Sequence, residues 1–409
     1  MGEGAGTSSD FVALQCLRGV CDTVLHFAES DAATLDHAQP IPIHLASPPR
    51  GWRRLVGCLG PLGHPWIFAR RAALWKAYNA RFAEAILQRL SATQRADVRL
   101  IYCHSSSLTE CGRLLGEALQ CPVVAHFYGT FLGTCIGHPA RYRRKPEDYL
   151  GWITPVDLRI CNDDGTRGLD VARDLGLPLE RFLFQPHGLD YRELDAGSDY
   201  ATDALLRDDT CYVVTASRLI PWKRLERLIE ALPSASSAPR FHVLILGDGP
   251  ERARLHALAA RLGVTSTVTF LGALPRKDVY AIMRRCHLFV STNDESNISR
   301  GLKEAMYFGL CIVTLDTGDT RQLIRQNETG LLASPEDPAA FAAALTHALS
   351  EPVTRARLGA AAKALILARE PDQDAILRQR AAVLSDLLRG APVNLRAENT
   401  EITEVSHAE

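Results

Sequence analysis

The residues best suited to bind an anionic ligand lie in one polar segment, residues 291–309. Residues 287–292 before it have the apolar pattern of a buried strand, and residues 311–315 after it have the same pattern. The intervening helix is therefore predicted to cross over between two parallel strands. In such sheets, ligands bind beyond the carboxyl ends of the strands, where this segment begins.

The predicted helix begins and ends at residues typical of helix termini. Asn297 and Ser299 are both good N-cap residues, and Gly309 is a good C-cap residue. The free N–H groups and the positive dipole end of the helix would then point at an anion. Glu304 lies on the second turn, where a carboxylate can accept hydrogen bonds from two neighbouring hydroxyl groups.

A second strand end carries two cations. Residues 215–224 follow an apolar strand and open a helix, which places Arg218 and Lys223 at a corner of the sheet. Together they could neutralise a diphosphate, because arginine can bind two phosphate oxygens and lysine adds a compact charge. The alternative is that Lys223 and Arg224 only solvate the first helical turn. The helix dipole favours acids there, so the function in anion binding is preferred.

Two further strand ends carry glycines. Gly247 and Gly249 form a Gly-Asp-Gly-Pro turn, and Leu271 and Gly272 end the next strand. Such turns alone are poor indicators of a nucleotide site. Their occurrence in one domain with the two cations and the capped helix is specific, because four successive strand ends then carry groups suited to the same ligand.

These groups need parallel sheets to position them, and short apolar strands alternate with helical patterns throughout the chain. The polar segment 191–209 separates two such sheets, so the predicted fold class is α/β with two Rossmann-like parallel-sheet domains, residues 1–192 and 193–390. Residues 391–409 are polar and acidic and are predicted to be a disordered tail. The candidate strands are residues 22–27, 41–45, 98–103, 122–127 and 158–161 in the first domain, and 211–216, 241–246, 268–271, 288–290 and 312–315 in the second.

Composition excludes several classes of protein. A net charge of -1 over 409 residues gives no general attraction to nucleic acid. The eleven cysteines are odd in number and never form a CxxC pair, which indicates buried thiols in a reducing compartment. No signal peptide or membrane span is visible, so a cytoplasmic protein is expected. A basic aromatic helix at 65–90 is interpreted as a solvated face, with peripheral contact to the inner face of a membrane as the alternative.

The second half resembles the donor-binding domain of retaining glycosyltransferases of family 4, which have the GT-B fold with two domains facing a central cleft. That family carries Gly-Arg-Leu-x-x-x-Lys-Gly, Gly-x-Gly-Pro, Phe-x-Gly and Glu-x7-Glu motifs in this order. The matching segments here are Ser217-Arg-Leu with Lys223, residues 247–250, residues 270–272 and the segment ending at Glu304.

The resemblance implies transfer of a sugar from a nucleotide-diphosphate sugar, UDP favoured and GDP open, with retention of configuration. It implies no bound cofactor and no metal. The acceptor would be a glycan, a lipid or a small molecule, bound by the first domain, while the second domain binds the donor. A catalytically idle nucleotide-sugar-binding or scaffold protein of the same fold is the alternative, and binding without transfer would identify it.

Carried over by position, Arg218 and Lys223 would hold the diphosphate, and Glu304 would bind the ribose. The first acid of Glu-x7-Glu falls on Ser296, one residue after Glu295. Either an extra loop residue returns Glu295 to the sugar, or side chains and backbone amides of the Ser-Asn loop contact it instead. The donor-binding residues implied are Gly247, Gly249, Leu271, Gly272, Glu295, Ser296, Asn297, Ile298, Ser299 and Glu304.

The first half is similar to the acceptor domain of the family. His104 ends one polar-tipped strand, and His187 takes the asparagine place of the Pro-Asn-Gly-Val-Asp segment before the interdomain linker. Tyr128 stands where the family often has a histidine near the reacting sugar. His126, two residues earlier on the same strand face, is the other candidate for catalysis, with a satisfied structural histidine as the alternative. The first six residues contain glycines without the preceding apolar strand of the family.

Overall fold

The computed structural model describes residues 17, 20, 27–28, 41–42, 65–162, 164–197, 200, 202, 206–391 and 395. The described residues form two compact units, one containing 65–186 with 376–391 and the other 187–375. The chain passes between them after Pro186 and again after Ala375. The predicted division between 192 and 193 lies close to the first of these points. The second point is not visible in the sequence, because it falls inside a helix.

The N-terminal unit contains a four-stranded parallel sheet in the order β3-β4-β5-β6, and two short strands, β1 and β2, that pair in parallel. Its strands are β1 (Phe27–Ala28), β2 (Ile41–Pro42), β3 (Ile101–His104), β4 (Val123–Phe127), β5 (Leu158–Asn162) and β6 (Phe182–Gln185). Its helices before the second unit are α1 (Pro65–Arg89), α2 (Ala92–Asp97), α3 (Thr109–Leu119), α4 (Pro139–Tyr142), α5 (Pro146–Ile153) and α6 (Gly168–Asp174).

The last helix explains why residues after 375 return to the N-terminal unit. Val383 and Leu384 are buried against Leu158, Ile160 and Leu183 on one face of the four-stranded sheet. Covering this apolar face removes it from water, which is the main favourable term in folding. The sequence alone does not show which sheet this helix covers.

The C-terminal unit contains a six-stranded parallel sheet in the order β12-β11-β10-β7-β8-β9. Its strands are β7 (Cys211–Ala216), β8 (Phe241–Leu246), β9 (Val268–Gly272), β10 (Leu288–Ser291), β11 (Cys311–Leu315) and β12 (Leu331–Ala333). Its helices are α7 (Tyr191–Asp195), α8 (Glu226–Ala231), α9 (Arg252–Arg261), α10 (Arg276–Met283), α11 (Arg300–Tyr307), α12 (Pro338–Ser350) and α13 (Pro352–Arg369), followed by α14 (Gln373–Leu388), which continues into the other unit.

The strand order places a topological switch point between β7 and β10. From β7 the chain builds outward through β8 and β9, and then returns to the other side of β7 to add β10, β11 and β12. Helices leaving β7 and β10 therefore cover opposite faces of the sheet, and their loops part at the carboxyl ends of the two strands. Ligands of doubly wound sheets bind in the crevice at this point.

Most predicted strands are confirmed. All five candidates of the second half occur, with ends shifted by at most one residue, and 98–103, 122–127 and 158–161 correspond to β3, β4 and β5. The sequence analysis missed β6 and β12, the latter only three residues long. The predicted tail 391–409 and the glycine-rich start 1–6 lie outside the described residues, apart from 391 and 395.

The helix predicted over 65–90 is confirmed as α1, Pro65–Arg89. Its buried residues are Trp75, Asn79, Phe82, Ala83 and Ile86. Of these, Phe82, Ala83 and Ile86 pack in an apolar cluster with Cys111 and Leu115 of α3. None of the helices in the described part of the chain combines the length and apolar character needed to cross a membrane.

Candidate functional site

A pocket opens at the switch point of the six-stranded sheet. It is formed by the ends of β7 and β10 and by the start of α11. Its lining includes Thr215, Ala216, Ser217, Lys223, Ser291, Thr292, Asn293 and Ser299. Two predicted site elements, the Lys223 corner and the N-cap of the 291–309 helix, therefore meet in one place.

The Lys223 ammonium group is placed for an anion. Its nitrogen lies 4.1 Å from the centroid of the Trp222 ring, and no carboxylate of the described residues pairs with it. Burial, and then the neighbouring cation of Arg218, lower the pKa of Lys223 to about 8. Arg218 is itself exposed and also has no carboxylate partner among the described residues. The two cations repel each other, so an anion bound between them would be stabilised.

The two loops at the pocket are bonded to each other. The Thr292 hydroxyl donates to the carbonyl oxygens of Lys223 at 3.1 Å and Arg224 at 3.0 Å. The Asp294 N–H donates to the Trp222 carbonyl oxygen at 3.1 Å. These hydrogen bonds join the Lys223 turn to the loop after β10.

Arg224 has a left-handed backbone conformation, with φ 51°. This region costs a non-glycine residue roughly 1 kcal/mol or more, and the family motif has glycine at this place. Here the side chain is held by Glu226 at 2.6 Å and Asp294 at 3.4 Å. The turn therefore adopts the left-handed conformation that glycine would allow, and the ion pairs of the Arg224 side chain stabilise it.

The glycine turn packs closely against the backbone on both sides of Arg218. A Cβ on Gly247 would lie 1.9 Å from the Ser217 carbonyl oxygen, and one on Gly249 would lie 2.4 Å from that of Leu219. The Gly247 N–H also donates to the Gly272 carbonyl oxygen at 2.7 Å. These glycines permit a close backbone approach, which a side chain would prevent. Whether they also contact a donor stays a prediction, as it does for the half-buried Leu271.

Asn297 is the centre of the loop before α11. Its Oδ1 accepts from the Ser291 hydroxyl at 2.6 Å and the Asn293 N–H at 2.9 Å. Its Nδ2 donates to the Leu315 carbonyl oxygen at 2.9 Å and the Thr317 hydroxyl at 2.8 Å. The side chain is fully buried. These contacts favour a positioning role over the predicted direct contact with a sugar, because the amide has no remaining capacity.

Of the other predicted loop residues, Ser296, Ile298 and Ser299 contact the loop, the core or the helix start, and Glu295 is partly exposed. The Ser296 hydroxyl accepts from the Ile298 N–H at 3.1 Å, and Ile298 is buried in the core. The Ser299 hydroxyl caps α11 by accepting from the Leu302 N–H at 3.2 Å, which identifies Ser299 rather than Asn297 as the N-cap. Glu295 is half-buried. Their roles toward a donor remain predictions.

Glu304 lies on the second turn of α11 and is buried. Its Oε1 accepts from the Tyr280 hydroxyl at 2.8 Å and from Arg300 Nε at 3.0 Å. Burial raises the pKa of Glu304, and the cations of Arg300 and Arg276 and the Tyr280 hydroxyl oppose this rise. Its Oε2 has no hydrogen bond within the described part of the chain.

The predicted residues of the N-terminal sheet form a separate cluster in their own unit. His126 is buried, with Nδ1 2.8 Å from the Tyr102 hydroxyl and Nε2 2.5 Å from Asn162 Oδ1. His104 Nδ1 lies 2.9 Å from the Tyr128 hydroxyl. Because both nitrogens of His126 are hydrogen-bonded, the contacts favour the structural alternative for this residue.

His187 is half-buried at the start of the C-terminal unit, just after the first chain crossing. Within the described residues, His, Cys, Asp and Glu side chains form no group of three or more that could hold a metal ion.

Residues 200–365 match the family model described as glycosyl transferases group 1. This part of the chain, the group 1 domain, is similar to the group 1 glycosyl transferases. Among curated relatives, the lipopolysaccharide core biosynthesis glycosyltransferase LpsE of Rhizobium meliloti is 27% identical over 213 residues, which cover 51% of this chain and 58% of LpsE. The chain spans between 27% and 58% of the length of LpsE and two other curated relatives.

Solved structures extend the similarity beyond the group 1 domain. WaaG, a glycosyltransferase involved in lipopolysaccharide biosynthesis, matches with a TM-score of 0.66 at 16% identity, covering 96% of this chain and 98% of WaaG. Anabaena HepE in complex with UDP-glucose matches with a TM-score of 0.61 at 23% identity, covering 75% of this chain and 82% of HepE. The predicted GT-B fold, with two Rossmann-like parallel-sheet domains, is confirmed.

Two residues of the group 1 domain site were missed in the sequence. Arg300 precedes Glu304 by four residues on the same helix, a spacing that predicts an ion pair. Tyr280 comes from α10, and no sequence signal connects it with α11. Its contact with Glu304 depends on how the two helices pack.

Proposed function

We propose that the protein is a retaining glycosyltransferase that moves a sugar from a nucleotide-diphosphate sugar to a glycan, lipid-linked or small-molecule acceptor. The observation that carries this proposal is the pair Arg218 and Lys223. Both are cations without a carboxylate partner among the described residues; Lys223 lines the pocket at the switch point together with Ser299 at the start of α11, and Arg218 is near enough to lower the pKa of Lys223. A diphosphate supplies the charge that these groups lack.

The donor would bind in parts. Arg218, Lys223 and the amide groups at the start of α11 would hold the diphosphate, since the first amides of a helix have no acceptor within it. Glu304 Oε2 would accept hydrogen bonds from ribose hydroxyls. The complex of HepE with UDP-glucose supports uridine as the base, and a GDP-sugar is the alternative.

The side chains of Arg218 and Lys223 would stabilise the leaving diphosphate. The bond between the sugar C1 and the diphosphate oxygen breaks, which makes the sugar oxocarbenium-like and the diphosphate more anionic. Arg218 and Lys223 stabilise this developing charge with fixed electrostatics. Retention follows if the acceptor oxygen attacks from the face that the diphosphate leaves, and the acceptor proton then passes to a phosphate oxygen.

We infer a peripheral membrane contact through α1 when the acceptor is a lipid. Trp66 and Leu74 are exposed by 60% and 51%, and Arg70 and Arg81 lie on the same helix face. An exposed aromatic and basic helix face is typical of binding to anionic lipid surfaces. The wild-type protein should sediment together with vesicles that contain anionic lipid. The double variant Trp66→Ser, Leu74→Ser should stay in the supernatant. Equal sedimentation of both would contradict the contact.

The alternative function is a catalytically idle nucleotide-sugar-binding protein. The hydrogen bonds on both nitrogens of His126 favour it, because they leave this residue without a free nitrogen for proton transfer.

The deciding experiment is calorimetry of the full chain with UDP, GDP and ADP, followed by transfer and hydrolysis assays with the matching nucleotide sugars. One diphosphate should bind, and Arg218→Ala and Lys223→Met should each weaken it by about tenfold or more. The matched control is Arg240→Ala, because Arg240 is exposed and pairs with Asp209 just before the first residues of β8 and β7, at the other end of the sheet. Binding without turnover would identify the idle protein, and no binding would refute both.

A further inference from the structure

The two oxygens of the Glu304 carboxylate have different surroundings. Oε1 accepts two hydrogen bonds, from the Tyr280 hydroxyl and from Arg300 Nε. Oε2 accepts none from the described residues, and the glutamate keeps a small exposure of 6%. One oxygen is therefore fixed by the protein, and the other is left for a ligand.

The geometry of Arg300 explains how this difference is maintained. In a guanidinium group, Nε–H and one N–H of Nη2 point in the same direction, so an arginine usually holds both oxygens of a carboxylate. Arg71 does this with Glu147, through Nε at 3.1 Å and Nη2 at 2.5 Å. Arg300 uses only Nε, and its Nη2 is buried with no hydrogen-bond partner among the described residues. The pairing thus stops at Oε1.

We propose that Arg300 and Tyr280 are positioning residues that fix Glu304 so that Oε2 selects a ribose over a deoxyribose in the donor. By occupying Oε1 from two helices, they hold the carboxylate in one orientation. Oε2 then lies where a ribose hydroxyl can donate to it. This inference rests on the proposed function, and it identifies the residues that would make its donor site specific for ribonucleotides.

The charges around Glu304 support the same role. Arg300 lies on its own helix, and Tyr280 and Arg276 come from α10. Arg276 is paired with Glu193 on α7. Burial raises the pKa of Glu304, and Arg300 is the largest of the opposing influences. A protonated Glu304 would be a poorer acceptor for a ribose hydroxyl, so removal of Arg300 should weaken ribonucleotide binding at acidic pH first.

The test compares a nucleoside diphosphate with its 2′-deoxy and 3′-deoxy forms, using whichever of UDP, GDP and ADP the wild-type chain binds. Wild type should prefer the ribonucleotide by roughly tenfold over at least one deoxy form, since a hydrogen bond to a charged group is lost. Tyr280→Phe and Arg300→Met should reduce this preference to about threefold or less. Arg300→Met should also move the acid limb of the binding profile to higher pH, and Arg300→Lys should restore that limb.

Two controls separate this role from a merely structural one. Arg240→Met removes an exposed pairing with Asp209, at 2.8 Å, which lies before the amino ends of β7 and β8, whereas Glu304 lies on the helix that follows the carboxyl end of β10, so this variant should leave the preference unchanged. Melting temperatures of all variants check the fold. If Arg300→Met and Tyr280→Phe weaken all three nucleotides equally and keep the wild-type preference, the inference is wrong. If wild type binds none of the diphosphates, the proposed function itself fails, and this inference with it.

Discussion

Thr292 and Lys223 are joined by a hydrogen bond, in which the threonine hydroxyl donates to the lysine carbonyl oxygen at 3.1 Å. The residues belong to loops after β10 and β7, strands that are neighbours in the sheet but are separated by two other strands in the sequence. The bond makes the position of the Lys223 ammonium group depend on the loop that leads to α11. The diphosphate and ribose parts of the proposed site are thereby held in one framework.

Thr292→Val should uncouple these loops with little change in side-chain shape. Loss of the hydrogen bond should lower the free energy of unfolding by about 1 kcal/mol and weaken nucleoside diphosphate binding by several-fold, because Lys223 is less fixed. Calorimetry and thermal denaturation measure the two effects. Thr346→Val is the control, since the Thr346 hydroxyl also donates to a backbone carbonyl, that of Ala342 on α12. It should lose stability only. Equal loss of binding in both variants would contradict the coupling.

Arg218→Ala should reduce sugar transfer strongly. The guanidinium would stabilise charge on the leaving diphosphate, and loss of one such group typically lowers kcat by about 100- to 1,000-fold. Initial rates with saturating donor measure the change. Arg240→Ala should keep the wild-type rate. Normal turnover of Arg218→Ala would remove this residue from the diphosphate site.

Affinity for the diphosphate should fall as pH rises above about 8. The pKa of Lys223 is lowered to about 8, so the free protein carries an ammonium group below this pH and a neutral amine above it. A bound anion favours the charged form, so above pH 8 binding must take up a proton, and affinity falls by up to about tenfold per pH unit. Lys223→Arg should abolish this fall, because arginine stays charged. A wild-type profile as flat as that of Lys223→Arg would argue against Lys223 as a contact.

Gly247→Ala should destabilise the C-terminal unit. The new Cβ would lie 1.9 Å from the Ser217 carbonyl oxygen, and the residue has φ 132°. A backbone shift at the Arg218 corner is required, at a cost of about 3 kcal/mol or more in unfolding free energy. Gly263→Ala is the control, since it also has a positive φ, 71°, but no atom within 4 Å of the new Cβ. It should cost about 1 kcal/mol. Chemical denaturation compares them, and equal losses would show that the close approach is unimportant.

His126→Ala should affect folding more than catalysis. It removes a buried side chain and leaves the Asn162 oxygen without its donor, so the free energy of unfolding should fall by about 2 to 4 kcal/mol. Tyr102→Phe removes only one of the two hydrogen bonds and should cost about 1 kcal/mol. The readouts are denaturation and transfer per folded molecule. A stable His126→Ala protein whose transfer is lost would restore the catalytic hypothesis.

Periodicity and end residues were sufficient to place most of the strands and α11. Apolar runs predicted most strands of both sheets, and Asn297 or Ser299 with Gly309 marked the ends of the helix, because caps and apolar patterns are local properties of the chain. The predicted grouping of Arg218, Lys223 and Glu304 depended on the order of the strand ends, because parallel strands end at the same edge of a sheet; the structure places Lys223 in the pocket at this edge. The close approach of Gly247 to the Ser217 carbonyl oxygen was not predictable, because glycine occurs both in turns and at close backbone contacts and the sequence does not distinguish the two.

The sequence by itself determined the fold class, the parallel connection from β10 to β11 and the cations and carboxylate of the proposed donor site. It also contained the Arg300 and Glu304 spacing. Only the tertiary structure decided that β7 lies beside β10, that Tyr280 bonds to Glu304, and that Asn297 and His126 have their hydrogen bonds taken by neighbours. The physical reason is that strand order and side-chain satisfaction depend on contacts between residues distant in sequence, whereas periodicity and capping are read within one element.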